Sequence, residues 1–189
     1  MKKLLAGLAL FVCASFSHGA GLDLALSDES ANLQLLINPY GLASGNSEIA
    51  VGGLVNDVDD VLFFGSIMAR GPRQSETAFY ALGAGMKIYG GNLEVDQSIG
   101  ALAIGARVGI LVVPHRVNPV DFVVEGYFAP SITSAGDTEK LWEIAGKFQL
   151  EIVPSARVYL GYRLIKADTK DFGKVELDDN IHLGINISF

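Results

Sequence analysis

From Ile181 to Phe189 every second residue is apolar. Ile181, Leu183, Ile185, Ile187 and Phe189 alternate with His182, Gly184, Asn186 and Ser188. Successive side chains on a β-strand point to opposite faces, so this spacing predicts a strand with one apolar and one polar face. The same period recurs upstream. Val158, Leu160, Tyr162 and Leu164 oppose Arg157, Tyr159, Gly161 and Arg163. Trp142, Ile144, Phe148, Leu150 and Ile152 oppose Glu143, Lys147, Gln149 and Glu151. A chain patterned this way must bury or coat the apolar face of a sheet, and sustained helical periods are missing after Gly21.

Ten segments read as strands: Leu22–Ser27, Asn32–Asn38, Glu48–Val55, Val61–Arg70, Phe79–Tyr89, Ile99–Val113, Val120–Ala129, Lys140–Ile152, Ser155–Lys166 and Ile181–Phe189. All six prolines fall between them, where the missing N–H breaks no ladder. With no linker or low-complexity stretch, residues 21–189 read as one all-β domain, an antiparallel barrel of ten strands with eight as second choice. Residues 1–20 read as a signal peptide. Lys2 and Lys3 form the positive start, Leu4–Phe16 the apolar core, and Gly19 and Ala20 the small residues of a cleavage site. The core is too short to span a bilayer as a helix.

Half of the 189 residues are apolar and only 19% are charged. The formal charge of −7 excludes a nucleic-acid partner, which needs clustered Lys and Arg. One Cys and three His leave too few ligands for a zinc site, so neither cofactor nor metal is expected.

A soluble barrel and a membrane barrel show the same alternation with faces exchanged. Three features favour the membrane form, an antiparallel transmembrane β-barrel. The polar face carries both signs of charge and many glycines. The connections alternate in length: Pro114–Pro119 and Val153–Ser155 are short, whereas Gly90–Ser98, Pro130–Glu139 and Asp168–Asp179 are longer, with Pro39–Ser47 the exception. The apolar ladder ends on an aromatic residue. This ending, Ile185, Ile187 and Phe189, resembles the C-terminal assembly signal of bacterial outer-membrane barrels. The resemblance implies delivery to the barrel-assembly machinery. More narrowly, Gly126-Tyr127-Phe128-Ala129-Pro130, the run Ala156–Arg163 and the ending Gly184–Phe189 resemble the YfaZ family of small outer-membrane proteins. That resemblance implies a Gram-negative outer-membrane location but no activity.

The polar faces nominate a lumen charge network of Lys87, Arg107, Glu125, Glu143, Lys147, Glu151, Arg157 and Arg163, with Arg70 beside it. Ten strands lie near the closed end of barrel sizes, so the expected lumen is packed by ion pairs. Most acids, including Asp28, Asp57, Asp59, Asp60, Glu94, Asp96, Asp137, Asp171, Glu176, Asp178 and Asp179, fall in segments expected as external loops. The Asn56–Asp60 turn is faintly calcium-like but lacks the glycine and distal Glu of a calcium loop. His182 with Asp179 is the one catalytic pairing available on paper. Without a nucleophile motif no enzyme is expected. The other leader-free histidine, His115, falls in a turn.

The expected function is therefore structural or interactive, as a monomer in the outer membrane. The expected partners are outer-membrane lipids and lipopolysaccharide. A narrow ion- or small-solute-conducting pore is the first alternative, and a soluble periplasmic lipocalin-like binding barrel the second.

Overall fold

A computed structural model describes residues 20–37, 47–58, 60–71, 80–93, 97–113, 118–170 and 173–189. The signal-peptide segment up to residue 19, most of Pro39–Ser47, His115, and the acids Asp59, Glu94, Asp96 and Asp171 lie outside these residues.

The strands are β1 (Ala20–Leu26), β2 (Ser30–Ile37), β3 (Ser47–Asn56), β4 (Val61–Arg70), β5 (Tyr80–Asn92), β6 (Ser98–Val113), β7 (Val120–Ala129), β8 (Ser134–Gly136), β9 (Thr138–Val153), β10 (Ala156–Thr169) and β11 (Gly173–Ser188). Each barrel strand pairs antiparallel with its neighbour, and β1 pairs with β11 to close the ring. The result is a ten-stranded antiparallel barrel, as the alternation predicts. Closure removes the free edges that would otherwise pair with other chains.

The three-residue β8 is a stub rather than a barrel stave. After Ala129 the chain leaves β7 through Pro130 and a 3-10 turn, Ser131–Thr133, then returns to pair Ser134–Gly136 with β6. Gly136 turns the chain into β9 at φ +69°. Its missing Cβ would stand 2.6 Å from the Ser98 hydroxyl.

The wall is uneven in height. Strands β9, β10 and β11 have 16, 14 and 16 residues, whereas β1 and β2 have seven and eight. The tall strands absorb stretches expected as loops. Gly90–Ser98 shrinks to five residues between β5 and β6, and Asp168–Asp179 shrinks to three between β10 and β11. The expected contrast in connection length is therefore absent. The end of β2 and the start of β3, with nine residues between them in the chain, and likewise those of β4 and β5, lie at the end that holds the chain termini.

Alternation fails at one informative place. In the β10–β11 ladder Ile165 faces Asp178 and Lys166 faces Glu176, so Leu177 is an extra residue. Such a bulge re-aims side chains. Here Leu177 and Asp178 are both buried inside the barrel. Asp178, expected in an external loop, is instead an interior acid.

The two faces are sorted by polarity. Leu183 (68% exposed), Ile104 (65%) and Phe63 (62%) cover the outside, along with Ile88, Phe148 and Leu160. The inside holds Glu143, Lys87, Arg163, Asp23 and Asp178, all buried. No helix among the described residues is long and apolar enough to cross a membrane, which says nothing of crossing by strands.

Candidate functional site

The charged side chains gather in the lumen, in two layers. The layer nearer the termini is a chain of ion pairs. Arg107 lies on β6 opposite Glu125 on β7, and its Nη2 reaches the Glu125 Oε2 at 2.7 Å. Its Nη1 donates to Glu48 on β3 at 2.9 Å, and Arg70 on β4 pairs with the other oxygen of the same carboxylate. Two guanidiniums thus flank one carboxylate. Across the barrel, Arg157 donates through Nε and Nη2 to Glu151, at 3.0 and 2.7 Å.

The middle layer is buried more deeply. Lys87 donates to Glu143 at 2.7 Å, and the Tyr89 hydroxyl donates to the same oxygen at 2.5 Å. The ammonium also sits 4.3 Å from the Phe64 ring centre and 5.1 Å from that of Tyr127, a cation–π setting. Arg163 donates to Asp178 at 2.5 Å, and Ser30 and Asn180 complete that carboxylate at 3.0 Å each. Asp23 accepts from the Tyr159 hydroxyl and from Asn186, with Lys147 at 3.7 Å. A buried charge is tolerated only when paired and hydrogen-bonded, and each of these is.

All eight residues nominated for the charge network, and Arg70, face the lumen and carry an ion pair. Their partners Asp23, Glu48 and Asp178 were not nominated. Asp23 and Glu48 lie on short strands whose register is noisy in the sequence, and Asp178 is hidden by the bulge.

Glycines make room for the aromatic rings of this layer. A Cβ on Gly184 would stand 2.1 Å from Cζ of Tyr159, and one on Gly105 would stand 2.3 Å from Cδ1 of Tyr127. Side chain and bare backbone interlock, so these inward glycines help to fill the lumen.

Beyond the middle layer, away from the termini, the interior turns apolar. Leu54, Leu62, Leu141, Ile165 and Leu177 are fully buried there and pack with Tyr89, Leu93 and Ile99. Towards the termini the lumen opens instead into a cavity of about 290 Å3. Between them a space of about 30 Å3, bordered by Glu143, Tyr159, Arg163 and His182, holds no more than a water or two.

The single catalytic pairing does not form. His182 is buried in the lumen, edge-on to Tyr159 at 5.8 Å. Asp179 faces outward and accepts from the exposed Tyr162 hydroxyl. They lie on opposite faces of β11. At the Asn56–Asp60 turn, Asn56 donates to the Asp60 side chain at 3.0 Å and accepts from the Asp60 amide at 2.9 Å. These two bonds tie Asn56 to Asp60, and Asn56 also donates to the Leu177 carbonyl at 3.4 Å. Among the described residues no group of three His, Cys, Asp or Glu is placed to hold a metal ion.

The profile of the YfaZ precursor family matches residues 1–189, the whole chain. The chain belongs to the YfaZ family. No curated protein matches this YfaZ chain. Among solved structures it is similar to the outer membrane channel DcaP of Acinetobacter baumannii, at 12% identity and a TM-score of 0.40. The alignment covers 93% of this chain and 55% of that one, so the chain spans about half the length of the channel.

Proposed function

We propose that this YfaZ protein is an integral outer-membrane β-barrel with a closed lumen and a structural or interaction role. The observation that carries the reading is the inversion of faces. Leu183, Ile104 and Phe63 stand exposed outside, while Lys87–Glu143 and Arg163–Asp178 are buried inside. In water this arrangement would expose a continuous apolar belt, a costly state. In lipid it is the expected one, since a closed barrel satisfies its own backbone.

The boundary of the belt can be followed on the outer face of β9, β10 and β11. Phe148, Leu160 and Leu183 form one row across the three strands. Two rows further on come Ile144, Leu164 and Asp179, then Trp142, Lys166 and Glu176, then Lys140, Asp168 and Lys174. Lipid contact would end near Trp142 and Tyr162, aromatic residues of the kind that sit at an interface.

In this reading Ile185, Ile187 and Phe189 are the signal presented to the assembly machinery, the first two on the lipid-facing side of β11 and Phe189 exposed just beyond its end. The end away from the termini faces outward from the cell. Its turns carry Asp28, Glu29, Asp57 and Asp137, and the start of β9 carries Glu139, as the contact surface, beside lipopolysaccharide. The apolar layer around Leu54, Leu141 and Leu177 seals that end of the lumen.

The test is a planar-bilayer recording on the folded protein, with heat-modifiable gel mobility as the folding control. Insertion without discrete current steps supports the reading. Reproducible steps would replace it with the narrow pore. A folded protein that enters neither bilayer nor micelle would replace it with the soluble binding barrel.

A further inference from the structure

The cavity on the terminal side of the lumen is a compartment of its own. It runs from the last rungs of the barrel, at Ala20 and Ser188, down to Lys147 and Glu125. The middle layer of ion pairs closes its floor. Its volume of about 290 Å3 lies at the small end of ligand pockets, which run from roughly 300 Å3 upward.

We propose that this cavity binds a small zwitterion bearing one carboxylate and one ammonium, the size of an amino acid or a dipeptide. The charge of the walls sets the class. Arg70, Arg107, Lys147 and Arg157 line the cavity, and so do Asp23, Glu48, Asp121 and Glu125. Four cations face four carboxylates, so a simple anion or cation gains no net field. A molecule with both charges gains at each end.

The two ends are identifiable. Arg70 engages Glu48 through Nη2 alone, and Arg157 leaves Nη1 unengaged among the described residues. Both side chains are part exposed at the cavity, at 45% and 41%. Free guanidinium N–H groups are matched to a carboxylate. Asp121 lines the same cavity, and its carboxylate makes no ion pair or hydrogen bond among the described residues, its backbone alone joining the β6 and β9 ladders. It is the free acceptor for an ammonium. Gln34 and Gln149 add neutral amides to the wall.

Space is provided at Gly109. A Cβ there would meet nothing nearer than 3.8 Å, whereas one on Gly105, four residues earlier on β6, would meet Tyr127 at 2.3 Å. At Gly109 the backbone is bare towards the cavity, and at Gly105 it is covered by a packed ring.

The experiment is calorimetric titration of the protein folded in detergent micelles. The probes are glycylglycine, its N-acetylated form and its C-terminal amide. Glycylglycine is expected to bind, and loss of either charge to weaken binding about tenfold. Asp121→Asn should abolish the discrimination against the acetylated probe. Gly109→Leu should fill the cavity and abolish binding, with heat-modifiable mobility kept. The proposal is overturned if glycylglycine gives no heat at its solubility limit, if all three probes bind alike, or if binding survives Gly109→Leu. Should Gly109→Leu fail to fold, Asp121→Asn, which removes no packing, decides alone.

Discussion

Lys87 on β5 and Glu143 on β9 meet at 2.7 Å although two strands, β6 and β7, stand between them in the wall. The contact is a chord through the lumen. Removing one partner leaves a buried charge without compensation, which typically costs about 3–5 kcal/mol. Glu143→Ala is therefore expected to destabilise the barrel by about that amount in urea unfolding from lipid vesicles. Adding Lys87→Met to Glu143→Ala should cost much less than the sum of the two single changes, because no unpaired charge remains.

The lipid-facing rows make a depth-dependent prediction. Leu160→Arg and Leu183→Arg place a charge in the middle of the apolar belt. Each should cost about 2–4 kcal/mol of folding free energy in vesicles. Lys174→Gln, beyond the Trp142 row, should change stability by less than about 1 kcal/mol. Equal effects at both depths would show that the outer face does not meet lipid.

Gly184 and Gly146 differ in what a methyl group would meet. A Cβ on Gly184 collides with the Tyr159 ring, which hydrogen-bonds Asp23. A Cβ on Gly146 finds Phe122 at 3.9 Å, an ordinary contact. Gly184→Ala should cost about 1–3 kcal/mol and Gly146→Ala close to nothing, by the same unfolding measurement.

Asp137, in the turn between β8 and β9, accepts from the Ser98 amide at 2.9 Å and from its hydroxyl at 3.1 Å. These hydrogen bonds hold its carboxyl below the usual carboxylate range. A lowered folded value means that the stabilisation is present above the unfolded value and is lost as pH falls through the folded one. The Ser98 amide resonance should therefore titrate below the ordinary Asp range, and Asp137→Asn should remove that transition.

How much of this was legible in the sequence depended on what each residue answers to. The facing of Arg107, Lys147 and Arg157 follows from the period of their own strands, and period is local. Their partners are another matter. Glu48 lies 59 positions before Arg107 in the chain, and only the ring order brings β3 and β6 side chains together. Asp178 was hidden because the bulge at Leu177 breaks the two-residue rhythm on which the reading rests. The connections were misjudged for a related reason. Strands β10 and β11 climb past the apolar belt, where outward residues such as Lys166 and Glu176 are polar, and a strand with two polar faces looks like a loop.

The uneven height of the wall has its own consequence in a bilayer. A tilted strand needs about 9–11 residues to cross, and β1 and β2 have seven and eight, whereas β9 and β11 have 16. Lipid of uniform thickness cannot match both flanks. The leaflets must pinch beside β1 and β2 or the cylinder must lean towards them, each at a fraction of a kcal/mol per Å. Either response would give the molecule a preferred azimuth towards its neighbours, with the pinched flank as the side on which a second thin-walled protein would relieve the most strain.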